Sequence, residues 1–130
     1  MPINWELIDQ QRPWTANTER GWHYHKRADM VKSARTRFYY LALQAAIPKQ
    51  EQIIVVAQPL LKSRRSRPDV AACYPTVKAA IDGIVDAGII PNDTDNYLSG
   101  IIFLPAEIGK IEGLRITIFP ASQTIIKISK

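Results

Sequence analysis

Apolar residues recur along this chain in two rhythms, and the rhythm changes at prolines and glycines. Over residues 28–47, Met30, Val31, Ala34, Phe38, Leu41, Ala42 and Ala45 fall at helical spacing, with Asp29 near the start and Pro48 as a stop. This predicts a long amphipathic helix. Its other side carries Lys32, Arg35 and Tyr39, three and four residues apart, a cationic stripe expected opposite the core face. Residues 52–61 are rich in β-branched side chains and predict a strand, whose far end Pro59 weakens or places at a sheet edge. Pro75 suits the first turn of a second helix that runs through Lys78, Asp82 and Asp86 to a stop at Gly88. Ala79, Ala80, Ile81, Ile84 and Val85 give that helix its buried side.

Between and around these helices the pattern predicts a strand over 3–8, a loop over 13–21, a strand over 97–104 and a connection over 105–113. Leu114, Ile116 and Ile118 alternate with Arg115 and Thr117, as in a half-exposed strand, and 123–128 is a last candidate strand. The expected fold class is α+β, a small mixed sheet with two main helices, in a single domain spanning 1–130.

At 130 residues and 46% hydrophobic, the chain can bury a real core without staples. No run approaches the roughly 18 apolar residues of a bilayer span, and the N-terminal residues lack the basic-then-apolar order of a signal peptide. The expectation is a soluble cytoplasmic protein with no membrane partner. Cys73 is the single cysteine, so no disulfide framework exists, and it is given no functional role. The net charge of +5 is unevenly spread. From Met30 to Pro68 the only acid is Glu51, whereas Asp69, Asp82, Asp86, Asp93 and Asp95 crowd the next stretch. A basic surface beside an acidic pocket suits a nuclease, because the first neutralises phosphates and the second keeps a cation. A generally solvated basic protein of unrelated function has the same composition.

Other chemistries find little support. There is no Gly-rich phosphate loop and no serine nucleophile motif. His23 and His25 have no cysteine or acid at zinc-like spacing. Trp22 and Tyr24 are candidates for stacking on an unpaired base, or for packing against the following helix. The segment from Lys62 to Asn96 is the richest: Arg64, Arg65 and Arg67 lead into Asp69, Lys78 opens the helix, and Asp93 and Asp95 close the stretch.

The wording of that segment, RRSRPD and then KAAIDGIVDAGIIPND, resembles the RusA family of Holliday junction resolvases, in its actinobacterial and phage-like branch. In that family a basic loop and aspartates precede a helix with the pattern K-A-x-x-D-x-L-x-x-A-G, and acids follow it. Lys78, Ala79, Asp82, Ala87, Gly88 and Asp93 fit without gaps, and Pro13 to Asn17 with Arg20 resembles the family's N-terminal loop. The resemblance implies a RusA-like fold and a homodimer that binds four-way DNA junctions and cleaves them with Mg²⁺ or Mn²⁺, in recombination and repair. Carried over, Asp69, Lys78 and Asp93 are catalytic, with Asp69, Asp93 and Asp95 as metal ligands. Arg64, Arg65 and Arg67 grip flanking phosphates, Asn17 and Arg20 reach another, and the Lys32 and Arg35 stripe lies against DNA.

The chain departs from the family at two places. Val70, Ala71, Ala72 and Cys73 stand where the family has a second aspartate and an asparagine, and Asn92 replaces the first acid after the helix. The alternative expectation is therefore a RusA-like protein that binds branched DNA without cutting it. Geometry adds a condition. A helix of about twelve residues is about 18 Å long, so Asp69 before it and Asp93 after it share an ion only if the loop from Gly88 folds back or a partner subunit completes the site.

Overall fold

The computed structural model describes residues 3–64 and 68–123. Strand β1 (Trp5–Asp9) is followed by a short helix α1 (Ala16–Glu19), the long helix α2 (Tyr24–Gln44) and strand β2 (Ile53–Leu61). Helix α3 (Tyr74–Asp86) then leads to β3 (Leu98–Phe103), β4 (Glu107–Ile108) and β5 (Gly113–Pro120), with a 3₁₀ turn at Ala121–Gln123. The class is α+β, as the patterning predicts. The expected strand over 123–128 falls almost wholly outside the described residues.

The sheet runs β1-β5-β2-β3, with β4 continuing beyond β3 along β2. β5 is antiparallel to both β1 and β2, whereas β3 and β4 are parallel to β2. A parallel neighbour requires a crossover, and α3 provides it. One sheet face presents Leu7, Ile53, Val55, Ala57, Leu114, Ile116 and Ile118, which meet Phe38 and Ala42 of α2 and Val77, Ala80, Ile81 and Ile84 of α3 in one core. Two of the expected assignments change. β5 is not half-exposed but central: Thr117 is buried beside its apolar neighbours, and Arg115 is covered by bonds to Gln58 at 3.0 Å and Glu107 at 3.2 Å. β2 is central too, so Pro59 is not at an edge. Ala57 and Leu61 accept bonds from Leu104 and Gly109 on the β3 and β4 side. By strand parity Pro59 turns its nitrogen, which has no hydrogen to give, toward the gap between those two strands.

The helices cross where a glycine lets them. A Cβ on Gly83 would run into the Arg35 carbonyl oxygen and stand 2.9 Å from Tyr39 N and 3.1 Å from the Phe38 Cβ. This close approach overturns the expected placing of Arg35 and Tyr39 opposite the core: their backbone lies against α3. α2 begins four residues earlier than the apolar rhythm, because His23 caps it, its Nδ1 accepting from His25 N at 3.3 Å. It ends at Gln44, before Pro48, where Ala46 takes a φ of 53°. The expected loop over 13–21 holds α1, capped by the Thr15 hydroxyl, which accepts from Thr18 N.

The N-terminal loop is fastened to the start of α3. Trp14 is buried, its N–H donates to the Thr76 hydroxyl at 2.9 Å, and that hydroxyl donates back to Trp14 O. Ala16 N also donates to Ala72 O at 3.0 Å. Below the same loop Asp9 is almost fully buried, and Arg37 Nε bonds both its oxygens at 3.0 and 3.1 Å. Replacing Arg37 with methionine is expected to cost about 3 kcal/mol, the low end for a broken buried pair because Arg37 is itself partly exposed, since the buried Asp9 carboxylate keeps only the Gln11 N–H; a urea denaturation curve measures it. Among the described residues no helix is long and apolar enough to cross a membrane.

Candidate functional site

The segment after α3 decides what the site contains. Gly88 adopts a φ of 84°, the left-handed turn that ends a helix without a Cβ penalty, in agreement with its expected role as a stop. Ile89 and Ile90 then plug into the core, and Ile89 O accepts from Gln50 N at 2.8 Å. Asn92 turns the chain again, its Oδ1 accepting from Thr94 N at 3.0 Å and from the Thr94 hydroxyl at 2.6 Å. This local turn occupies the side-chain carbonyl oxygen of Asn92. The result is that the segment doubles back along α3.

Asp93 is delivered by that return to the second turn of α3. Lys78 Nζ donates to Asp82 Oδ1 at 2.8 Å, one helical turn on, and to Asp93 Oδ2. One ammonium is thus shared by two carboxylates in a half-exposed cluster. Burial pulls the Lys78 pKa down, but the bonds to Asp82 and Asp93 outweigh it and leave it raised. The same bond holds the Asp93 carboxyl below the ordinary carboxylate range, against a smaller desolvation cost. Asp82, a position of the helix pattern with no site role expected from the sequence, is joined to Asp93 through Lys78 only because the loop folds back.

The expected set of Asp69, Asp93 and Asp95 is not gathered. Among the described residues no three histidine, cysteine or acidic side chains are grouped to hold an ion. Asp69 is exposed ahead of α3 and lines a hollow with Val70, Phe103 and Leu104, at the C-terminal end of β3. Asp95 is exposed just before the N-terminal end of the same strand. What is gathered is the pair Asp82 and Asp93. Two carboxylates suit Mg²⁺, which keeps several waters and takes substrate phosphates for its remaining positions.

The expected phosphate contacts divide. Arg64 is exposed beyond β2, Lys32 is exposed on α2, and Asn17 and Arg20 are exposed on and beside α1. Arg65 and Arg67 lie outside the described residues. Arg35 is spoken for: its guanidinium makes a two-pronged bond to Asp86, Nε to Oδ2 at 2.6 Å and Nη2 to Oδ1 at 2.8 Å. That contact raises the Arg35 pKa and lowers that of Asp86. Arg35 is therefore a brace between α2 and α3 rather than an open cation.

Because Asp86 and Asp93 titrate below their ordinary value of 3.8 in the folded chain, the stability they add is fully present above that value. It is lost as pH falls through their folded pKa values. Both pairs are partly exposed, so each adds at most about 1 kcal/mol. Calorimetric melting is expected to move down as pH falls below 3.8, and the Asp86 share of that movement should vanish in Arg35→Ala.

Of the two stacking candidates, only Trp22 settles as packing. Trp22 lies 5.8 Å from Trp14, centroid to centroid, with Lys26 Nζ 5.1 Å above its ring, whereas Tyr24 remains exposed between His23 and His25. Cys73 is buried, and desolvation pushes its thiol up to about 11, a smaller pull from Arg12 notwithstanding. Its alkylation by iodoacetamide near neutral pH should be at least about 100-fold slower in the folded chain than in urea, because the thiolate is the nucleophile.

Comparison with known proteins adds no family. No family model matches the chain, and no curated protein matches it.

Proposed function

We propose that the chain is a structure-selective endonuclease of the RusA kind, which cuts four-way DNA junctions in recombination and repair with the help of Mg²⁺ or Mn²⁺. The single observation that carries this reading is the return of the segment after α3, which sets Asp93 on Lys78 beside Asp82. A sequence similar to the RusA pattern would need that meeting of helix lysine and following acid. Such an ion, when bound, contributes Lewis acidity and a more acidic water.

The chain's own residues would share the remaining work. Asp82 and Asp93 would hold the ion, and their oxygens are the hard donors it prefers. Lys78, released from one or both carboxylates, would present its ammonium to the phosphate oxygens as negative charge builds on them. Arg64 and Lys32 stand exposed to attract the DNA backbone. The reading places the protein in the cytoplasm, with its substrate.

A second reading has an observation of its own. Asp69 stands apart from the Lys78 cluster, and Val70 to Cys73 bring no carboxylate toward it, which favours a protein that binds branched DNA without cutting. A fixed four-way junction incubated with the protein and Mg²⁺, Mn²⁺ or EDTA separates the two. Paired nicks that require metal support the endonuclease; salt-sensitive binding with no nick in either metal supports the second reading and removes the first.

A further inference from the structure

We propose that the exposed start of α2 is a stacking platform for the unpaired bases of single-stranded DNA, with Tyr24 at its centre and His23 and His25 on either side. The site is separate from the Lys78 cluster, needs no metal and does not rest on the endonuclease reading. Its first ground is that this part of the helix has nothing to pack against. Every residue from His23 to Asp29 is exposed, and the fully buried positions of α2 begin only at Ala34. Tyr24, at 61% exposure, is the most exposed large hydrophobic side chain among the described residues.

The helix is also placed to reach past the body. Ala34 and Ala79 share one cluster and Gly83 meets the backbone of Tyr39, so α2 and α3 run in the same direction. Tyr24 lies ten residues before Ala34, whereas α3 starts at Tyr74, five before Ala79. α2 therefore overshoots the start of α3 by about five residues, or about 7 Å. Cys73, just ahead of α3, and Leu61, at the end of β2, line one hollow. The overshoot thus lies at the end of the molecule where β2 finishes and Arg64 stands exposed.

The rings are the second ground. The centroids of His23 and Tyr24 are 4.6 Å apart, those of Tyr24 and His25 4.0 Å and those of His23 and His25 5.1 Å, with planes 24° to 37° apart. Three rings so nearly aligned offer one broad π surface, and stacking of a base asks for a π face rather than a particular donor or acceptor. The helix cap holds the platform in place. His23 Nδ1 accepts from His25 N at 3.3 Å, so in the neutral ring the proton sits on Nε2, where it can donate to a backbone phosphate.

Charge selects a nucleic-acid strand over an apolar partner. Arg20, Lys26, Arg27 and Lys32 are all exposed, and Asp29 is the only acid from Arg20 to Lys32. Glu19, the acid just before, is already engaged by Trp14 Nε1 at 2.8 Å and by Arg27 at 3.7 Å. Cations interleaved with aromatic faces suit a single strand, because the first hold its phosphates and the second its bases. A continuous duplex keeps its bases stacked on one another and offers the platform only phosphates.

Fluorescence anisotropy of the full chain with a labelled thymidine strand of about ten nucleotides, in EDTA at low salt, tests this. Wild type is expected to bind that strand about 10-fold tighter than an abasic strand of the same length, which keeps every phosphate and has no base to stack. Tyr24→Ala should bind the thymidine strand about 10-fold more weakly and lose the preference, whereas Tyr24→Trp should keep it. Because Tyr24 is exposed, the alanine variant should melt within about 2 °C of wild type, so its loss of binding is not a loss of fold. Equal affinity of wild type for the two strands, or an undiminished preference in Tyr24→Ala, overturns the proposal, as does a failure to bind the thymidine strand at all. Tighter binding to an RNA strand of the same length overturns DNA as the ligand. A wild type that shows the preference and yet never nicks a junction supports the stacking site and removes only the endonuclease reading.

Discussion

Gly83→Ala should lower the stability of this protein by about 3 kcal/mol and its Tm by roughly 10 °C, the largest effect expected from adding one methyl group. The reason is what surrounds the position. The atoms a Cβ would meet include the Arg35 carbonyl oxygen and Tyr39 N, both backbone atoms of α2, so no side chain can swing away to make room. Relief requires the two helices to move apart. Phe38 and Ala34, both at 0% exposure, lose their packing against α3 if that happens. The Arg35 and Asp86 brace, which joins the same two helices, would be stretched as well. Alanine is the better helix former by about 1 kcal/mol, so a helix-propensity argument predicts a gain, and the sign of the measured change separates the two accounts. Gly109→Ala is the control, since a Cβ there meets nothing within 4 Å. Its Tm should stay within about 2 °C of wild type, because small surface changes cost within about 0.5 kcal/mol.

Gly83 also marks the boundary of what the sequence can tell. The apolar rhythm of both long helices is plain, since Ala34, Phe38 and Ala42 of α2 and Ala79 to Ile81 with Ile84 of α3 are buried where periodicity puts them. Periodicity speaks only of the face turned to the sheet. It is silent on the second contact, helix against helix, and so it assigns Arg35 and Tyr39 to an outer stripe. The ends of α2 are hidden for a related reason: a first turn of Tyr24, His25, Lys26 and Arg27 has no apolar member to count. β5 is misread because Arg115 and Thr117 imitate the alternation of a strand with one wet face, while neighbours on both sides cover them. At the site, the glycine stop after α3 is legible. The partnership of Lys78 with Asp93 is not, because it depends on Ile89 and Ile90 entering the core and on the Asn92 turn, and spacing alone gives the direction of neither.

Lys78→Met should reduce metal-dependent junction nicking by about 100- to 1000-fold, the usual loss when a charge aimed at the transition state is removed, and Asp93→Asn should abolish it. The two losses have different origins, and a second measurement tells them apart. Methionine keeps the length of the lysine stem and removes only the ammonium, so Asp82 and Asp93 remain where they are and become like charges in close company. The Asp93 carboxyl, released from the bond that holds it down, should then titrate higher, which carboxyl NMR shifts report directly. Added Mg²⁺ should raise the Tm of this variant more than that of the wild type, because the ion no longer competes with an internal ammonium for the two carboxylates. Asp93→Asn should do the reverse: the Lys78 pKa loses one of the two bonds that raise it, and the stabilisation by Mg²⁺ shrinks. Should Lys78→Met nick at the wild-type rate, the ammonium is only a brace for the returning segment, and the chemistry lies elsewhere in the chain. Should Mg²⁺ leave the melting of both variants and of the wild type unchanged, Asp82 and Asp93 do not hold the ion, and the lysine-bridged pair is a structural clasp.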